Sequence, residues 1–107
     1  MSTRAMIRFK DQFDEFYVYR GNDGYPEIIL KDIEDIIEAK KRSWSDPECG
    51  LIATCFLAWN FDKSQRLPRY EMAQKFHGDE SYVYFVDWDN KLQKWIVSFT
   101  DKVDNEE

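Results

Sequence analysis

Apolar and polar side chains alternate along residues 4–10, with Ala5, Ile7 and Phe9 on one side and Met6, Arg8 and Lys10 on the other. A period of two is that of a β-strand. Residues 15–20 carry the aromatic and β-branched side chains that suit a pleated surface, and Asp11 to Asp14 lie between the two segments. The pattern predicts a β-hairpin with a short loop. Gly21, Asn22, Asp23 and Gly24 follow, all tolerant of turn geometry, with Gly24 expected to take the positive φ. Pro26 then has the fixed φ suited to a first helical turn. From there Ile29, Leu30, Ile33, Ile36 and Ile37 recur at helical spacing, while Lys31, Asp32, Glu34, Asp35 and Glu38 cover the remaining faces. This is an amphipathic helix with one stripe for the core.

A second helix is predicted to start at Asp46 and Pro47, with Asp46 as the cap, and its stripe is Leu51, Ile52, Cys55, Phe56 and Trp59. Between residues 62 and 79 the pattern weakens. It reads as loop with one helical turn over 69–75, and so long a loop in a small domain marks either hidden structure or function. Residues 81–88 and 93–100 both alternate, grouping Tyr82, Tyr84, Val86 and Trp88, and then Trp95, Val97 and Phe99, about an Asp89-Asn90-Lys91 turn. The element order is therefore ββααββ. The simplest two-layer solution is α+β, an antiparallel sheet of about four strands with both helices on one face. Ile33, Ile37, Ile52 and Phe56 are expected to be almost fully buried.

At 107 residues the chain has length for one domain, assigned to residues 1–100 with an acidic tail over 101–107. Eight Phe, six Tyr and four Trp argue against disorder. The net charge of −6 suggests a nucleic-acid mimic until it is located: Asp101, Asp104, Glu106 and Glu107 against Lys102 supply half of it. The body is only mildly acidic, and the one basic run, Lys40-Lys41-Arg42, closes the first helix, where cations complement the dipole. Direct nucleic-acid binding is not expected. With no long apolar segment and no apolar stretch near Met1, neither a membrane span nor a signal peptide is expected, which points to the cytoplasm.

Three segments together resemble a known group. Ser2-Thr3-Arg4-Ala5 opens the first strand, Tyr19-Arg20 leads into Asp23-Gly24-Tyr25-Pro26-Glu27, and Gly78-Asp79-Glu80-Ser81-Tyr82-Val83-Tyr84 precedes the closing hairpin. This ordered set resembles small proteins encoded by phages and other mobile elements, whose shared pattern is an STRA start and a DGYP turn. Such proteins often carry a His between the Arg and the Asp of the turn, where this chain has Gly21-Asn22. The resemblance implies an accessory protein of the host cytoplasm, in a group without a general biochemical assignment. By analogy of genetic context it implies binding to a host protein, and inhibition of a host defence complex as anti-CRISPR proteins do.

Each candidate site in the chain has a structural alternative. Arg20, Asp23 and Tyr25 gather a cation, a carboxylate and a phenol at a helix start; they either shape the turn or form a recognition surface. Tyr17, Tyr19, Tyr82, Tyr84, Trp88 and Trp95 lie on strands, as cross-strand pairs or as an exposed aromatic patch. With Phe16, Val18, Val83 and Phe85 turned to the helices, the tyrosines would face outward as a protein-binding surface. His77 is the single histidine, which leaves a metal or base role without partners. Cys49 and Cys55 are too far apart on one helix for a disulfide and read as reduced thiols. Asp87-Trp88-Asp89-Asn90 lacks the glycine and distal Glu of a calcium loop. No cofactor is implied. The expected function is non-catalytic binding of a host protein, with homo-oligomerisation open; the alternative is sequestration of a nucleotide signal through Arg20, the first helix and the tyrosines.

Overall fold

The computed structural model describes residues 3–40 and 48–101. Both predicted hairpins form. Strand β1 (Ala5–Lys10) pairs antiparallel with β2 (Glu15–Arg20), Ile7 opposite Val18 and Phe9 opposite Phe16. Helix α1 (Pro26–Lys40) starts where the Tyr25 carbonyl accepts the N–H groups of Ile28 and Ile29, both at 3.0 Å. Helix α2 (Cys49–Trp59) follows. The cap expected at Asp46 and Pro47, Lys41 and Arg42 of the basic run, and residues 102–107 of the acidic tail lie outside the described residues. Glu48 sits at the N-cap of α2 without a side-chain cap bond, and the capping acceptor comes from the first hairpin instead. Asp11 Oδ2 accepts the Cys49 N–H at 2.8 Å, while Asp11 Oδ1 accepts Phe13 N–H and Asp14 N–H inside its own turn, each at 2.8 Å.

The segment expected to be loop with a helical turn is β-structure. Phe61–Asp62 (β3) and Leu67–Pro68 (β4) form a small two-stranded sheet, and Glu71–Ala73 (β5) pairs antiparallel with β2. The outer edge of β2 carries backbone groups that need partners, and a strand supplies them where the weak helical pattern of 69–75 could not. The closing hairpin is β6 (Tyr82–Asp89) and β7 (Lys94–Asp101), so Asp101, assigned to the tail, ends a strand. The main sheet has five strands in the order β5-β2-β1-β6-β7. It is mixed rather than antiparallel, because β1 and β6 run parallel with Ile7 beside Tyr84.

Both helices lie on one face, as the pattern predicts. Ala5, Ile7, Phe9, Val18, Tyr84 and Val86 from the sheet join Ile29, Ile33 and Ile36 of α1 and Cys49, Ile52, Ala53 and Phe56 of α2 in one buried cluster. Ile33, Ile52 and Phe56 are buried as expected; Ile37 is only partly so, and Ile36 takes its place. On the opposite face, residues 74–81 cross from β5 over β2 and β1 to reach β6. Phe76 packs edge-on against Tyr17 at 5.0 Å and His77 lies on Tyr19 at 4.0 Å between ring centroids. Arg4 and the Tyr19 hydroxyl both donate to Asp79. Met6, Tyr19 and Val83 form a buried row on this face.

The orientation of the β6 aromatics corrects the sequence expectation. Tyr17 and Tyr19 lie on the face away from the helices, but Tyr82, Tyr84 and Trp88 lie on the helix side, opposite Asp101, Phe99 and Trp95 of β7. Tyr84 is fully buried, and its hydroxyl donates to the Gly24 carbonyl at 2.7 Å. Val83 and Phe85, expected to meet the helices, share the other face with Asp87, whose carboxylate takes Arg8 Nη2 at 3.1 and 3.2 Å. Parallel pairing of β6 with β1 brings the tyrosine row into register with Ile7, and a buried phenol is tolerable where its O–H finds a carbonyl.

Candidate functional site

The three segments that carry the family resemblance meet at one end of the sheet. Gly24 N–H donates to the Thr3 carbonyl at 2.9 Å, Ser81 N–H to the Arg4 carbonyl at 2.8 Å, and Arg4 Nη1 reaches Asp79 at 3.1 Å. A Cβ on Gly24 would stand 2.6 Å from the Cβ of Ala5, so glycine is required there by close approach. The positive φ of the turn falls on Asp23, at 53°, and not on Gly24 as expected. The glycine whose φ is positive is Gly78, at 96°, where Glu80 accepts the N–H groups of His77 and Gly78 at 2.6 and 2.9 Å. Pattern residues at these positions therefore join the starts of β1, α1 and β6.

Arg20, singled out as a recognition cation, lies inside, 9% exposed. Its Nε donates to the Asn22 carbonyl at 2.7 Å and Nη1 to the Tyr70 hydroxyl at 3.1 Å, while Tyr70 donates to Asp32 Oδ2 at 2.6 Å. Burial, with the Asp32 carboxylate beside it, pushes the Tyr70 phenol far above its ordinary range, against the opposing pull of Arg20. This relay ties β2 to α1 and to the segment after β4. Tyr70 and Asp32 were not singled out in the sequence, because only the fold brings residues 20, 32 and 70 together. Asp23 and Tyr25 are exposed, and Tyr25 packs at 6.4 Å against Tyr82, which is partly buried. Trp88 stands edge-on to Trp95 at 5.3 Å. Burial, followed by repulsion from Glu15, raises the Tyr17 phenol; burial, followed by repulsion from Asp79, raises that of Tyr19. The candidate residues thus fall into two sets on opposite faces. Both cysteines are free, and burial lifts the Cys49 thiol to about 12, which keeps it protonated. Among the described residues no group of three metal-ligating side chains occurs.

A different surface stands out. An open groove of about 600 Å³ runs between α2 and the segment after it, lined by Leu57, Ala58, Phe61, Pro68, Tyr70 and Met72 among others. Its walls follow from local structure. The buried Asn60 side chain donates to the Phe56 carbonyl at 2.9 Å and ends α2. Asp62 Oδ1 accepts Ser64 N–H at 3.0 Å, closing the β3–β4 turn, where Arg66 takes φ 56°. Met72 is 60% exposed on β5, the edge strand beside the groove, and Leu67 is 57% exposed. The signal in the sequence was α2 itself: Cys49–Trp59 contains no charged residue, and a helix apolar all round must be covered on every side. Here only one side is. Around the groove, residues 61–75 carry Lys63, Arg66, Arg69 and Lys75 against Asp62 and Glu71, a net positive segment in an acidic chain.

Compared with protein-family models, with curated proteins and with solved structures, the chain gives no match. No helix among the described residues is long and apolar enough to cross a membrane.

Proposed function

We propose that the chain is a non-catalytic binding protein that docks on a partner protein through the groove between α2 and residues 61–72. One observation carries this reading: a helix without a charged side chain leaves an apolar wall open to solvent beside exposed Met72 and Leu67. Open apolar area of this kind, rimmed by polar groups, is typical of interaction sites. Lys63 and Glu71 line the groove with one charge of each sign, and Arg66 lies in the adjoining β3–β4 turn, which favours a partner segment that is apolar at its centre and charged at its flanks. Taken with the resemblance to mobile-element proteins, the partner is a host protein and the biological use is inhibition of a host defence complex. The nucleotide alternative loses support, since Arg20 is engaged inside the fold.

The test uses the purified chain as bait for host proteins, beside Met72→Glu and Ala58→Glu. Both positions are exposed, so melting temperatures are expected to stay within the range set by about 0.5 kcal/mol. A partner held by the wild type and weakened about tenfold or more by either substitution supports the reading. Partners indifferent to both substitutions, or turnover of a substrate by the purified chain, would defeat it.

A further inference from the structure

At the edge of the sheet away from the groove lies β7, eight residues long, and among the described residues no strand pairs with its outer side. Monomeric proteins blunt such edges with an interior lysine, a proline or a bulge. β7 has none of these: its charged residues are Lys94 at one end and Asp101 at the other, and its pairing with β6 runs unbroken from Tyr82↔Asp101 to Asp89↔Lys94. Ile96 and Phe99 are exposed on its two faces, Phe99 by 43%. An open row of backbone N–H and C=O groups is a ready template for another strand.

We propose that this strand is β7 of a second copy, running antiparallel about a two-fold axis through Val97. A two-fold axis normal to the sheet keeps each face on its own side, so only residues of like face can stand opposite one another. Centring on Val97 sets Val97 against itself, Trp95 opposite Phe99, Ile96 opposite Ser98 and Lys94 opposite Thr100. Apolar side chains meet on the helix face, and no like charges meet on the other. Centring on Ser98 would instead place the Trp95 ring against the Asp101 carboxylate. The pairing joins two five-stranded sheets into one and leaves each β5 edge, with its groove, at an outer end. The inference does not depend on what the groove binds.

Sedimentation of the full chain over a concentration series tests it, with Thr100→Lys and Thr100→Glu beside the wild type. Thr100 is exposed, and melting curves check that each variant folds. The wild type should show reversible association to twice its 12.9 kDa mass. Thr100→Lys sets a like charge opposite Lys94 in both halves and should weaken the dimer about 2- to 30-fold; Thr100→Glu should tighten it over a similar range. High salt should shrink both effects. A species that keeps the monomer mass of 12.9 kDa at every concentration up to about 1 mM would overturn the proposal. So would a dimer on which the two substitutions act alike.

Discussion

Tyr84 and Asp11 show how single polar groups hold this fold. Tyr84 packs among Tyr82 and Phe99 and gives its hydroxyl proton to Gly24, linking β6 to the start of α1. Burial raises its phenol far above the ordinary range, so it stays neutral. Tyr84→Phe leaves the Gly24 carbonyl without this donor and should cost about 1 to 3 kcal/mol; Tyr84→Ala, which also opens a cavity, about 3 to 5. Urea denaturation measures both, and an unchanged midpoint for Tyr84→Ala would show that the ring is not core. Asp11 works through charge. Burial alone would raise its pKa, but the N–H groups of Cys49, Asp14 and Phe13 outweigh that and hold it below the reference 3.8. A carboxylate depressed in the folded state stabilises fully above its unfolded pKa, and the benefit is lost as pH falls through the folded value. Stability should therefore drop as pH goes below about 3.8, and Asp11→Ala should flatten that drop while costing about 0.5 to 2 kcal/mol at neutral pH, toward the low end where solvent screens the site. An acid limb equally steep in wild type and variant would contradict the assignment.

Strand β1, the closing hairpin and the two helix stripes were readable from period, and β2 from its aromatic and β-branched composition. Two features were not. Both rows of β6 are apolar at their start, Tyr82 and Tyr84 in one and Val83 and Phe85 in the other, so alternation alone cannot say which row is core. Asp87 and Asp89 in the second row were the available sign of its wetter side. β5 escaped notice because three residues are too few for periodicity, and its strand character comes from the waiting edge of β2. Within α1 the stripe was right but its centre was displaced by one residue. Ile36 is fully buried and Ile37 partly, so Ile36→Ala should cost about 2 to 5 kcal/mol and Ile37→Ala distinctly less. Equal losses, read from chemical denaturation, would mean that α1 is rotated about its axis relative to this description.

Taken whole, the molecule is a mixed sheet covered by two helices on one face and in part by a crossing segment on the other, with distinct surfaces at its two edges. The candidate site was legible only in part: the turn and the aromatics were visible as residues, but most of them join elements to one another. The groove is built from the end of α2 and from residues 61–72, most of which fall in the stretch 62–79 where the pattern is weakest, and it exists because α2 has more apolar surface than the core can use. The most direct test of binding through that groove is amide hydrogen exchange on the chain alone and with a captured partner. Partner binding is predicted to slow exchange across residues 61–73, leaving residues 20–25 unchanged. Protection of residues 20–25, with 61–73 exchanging as in the free chain, would contradict it.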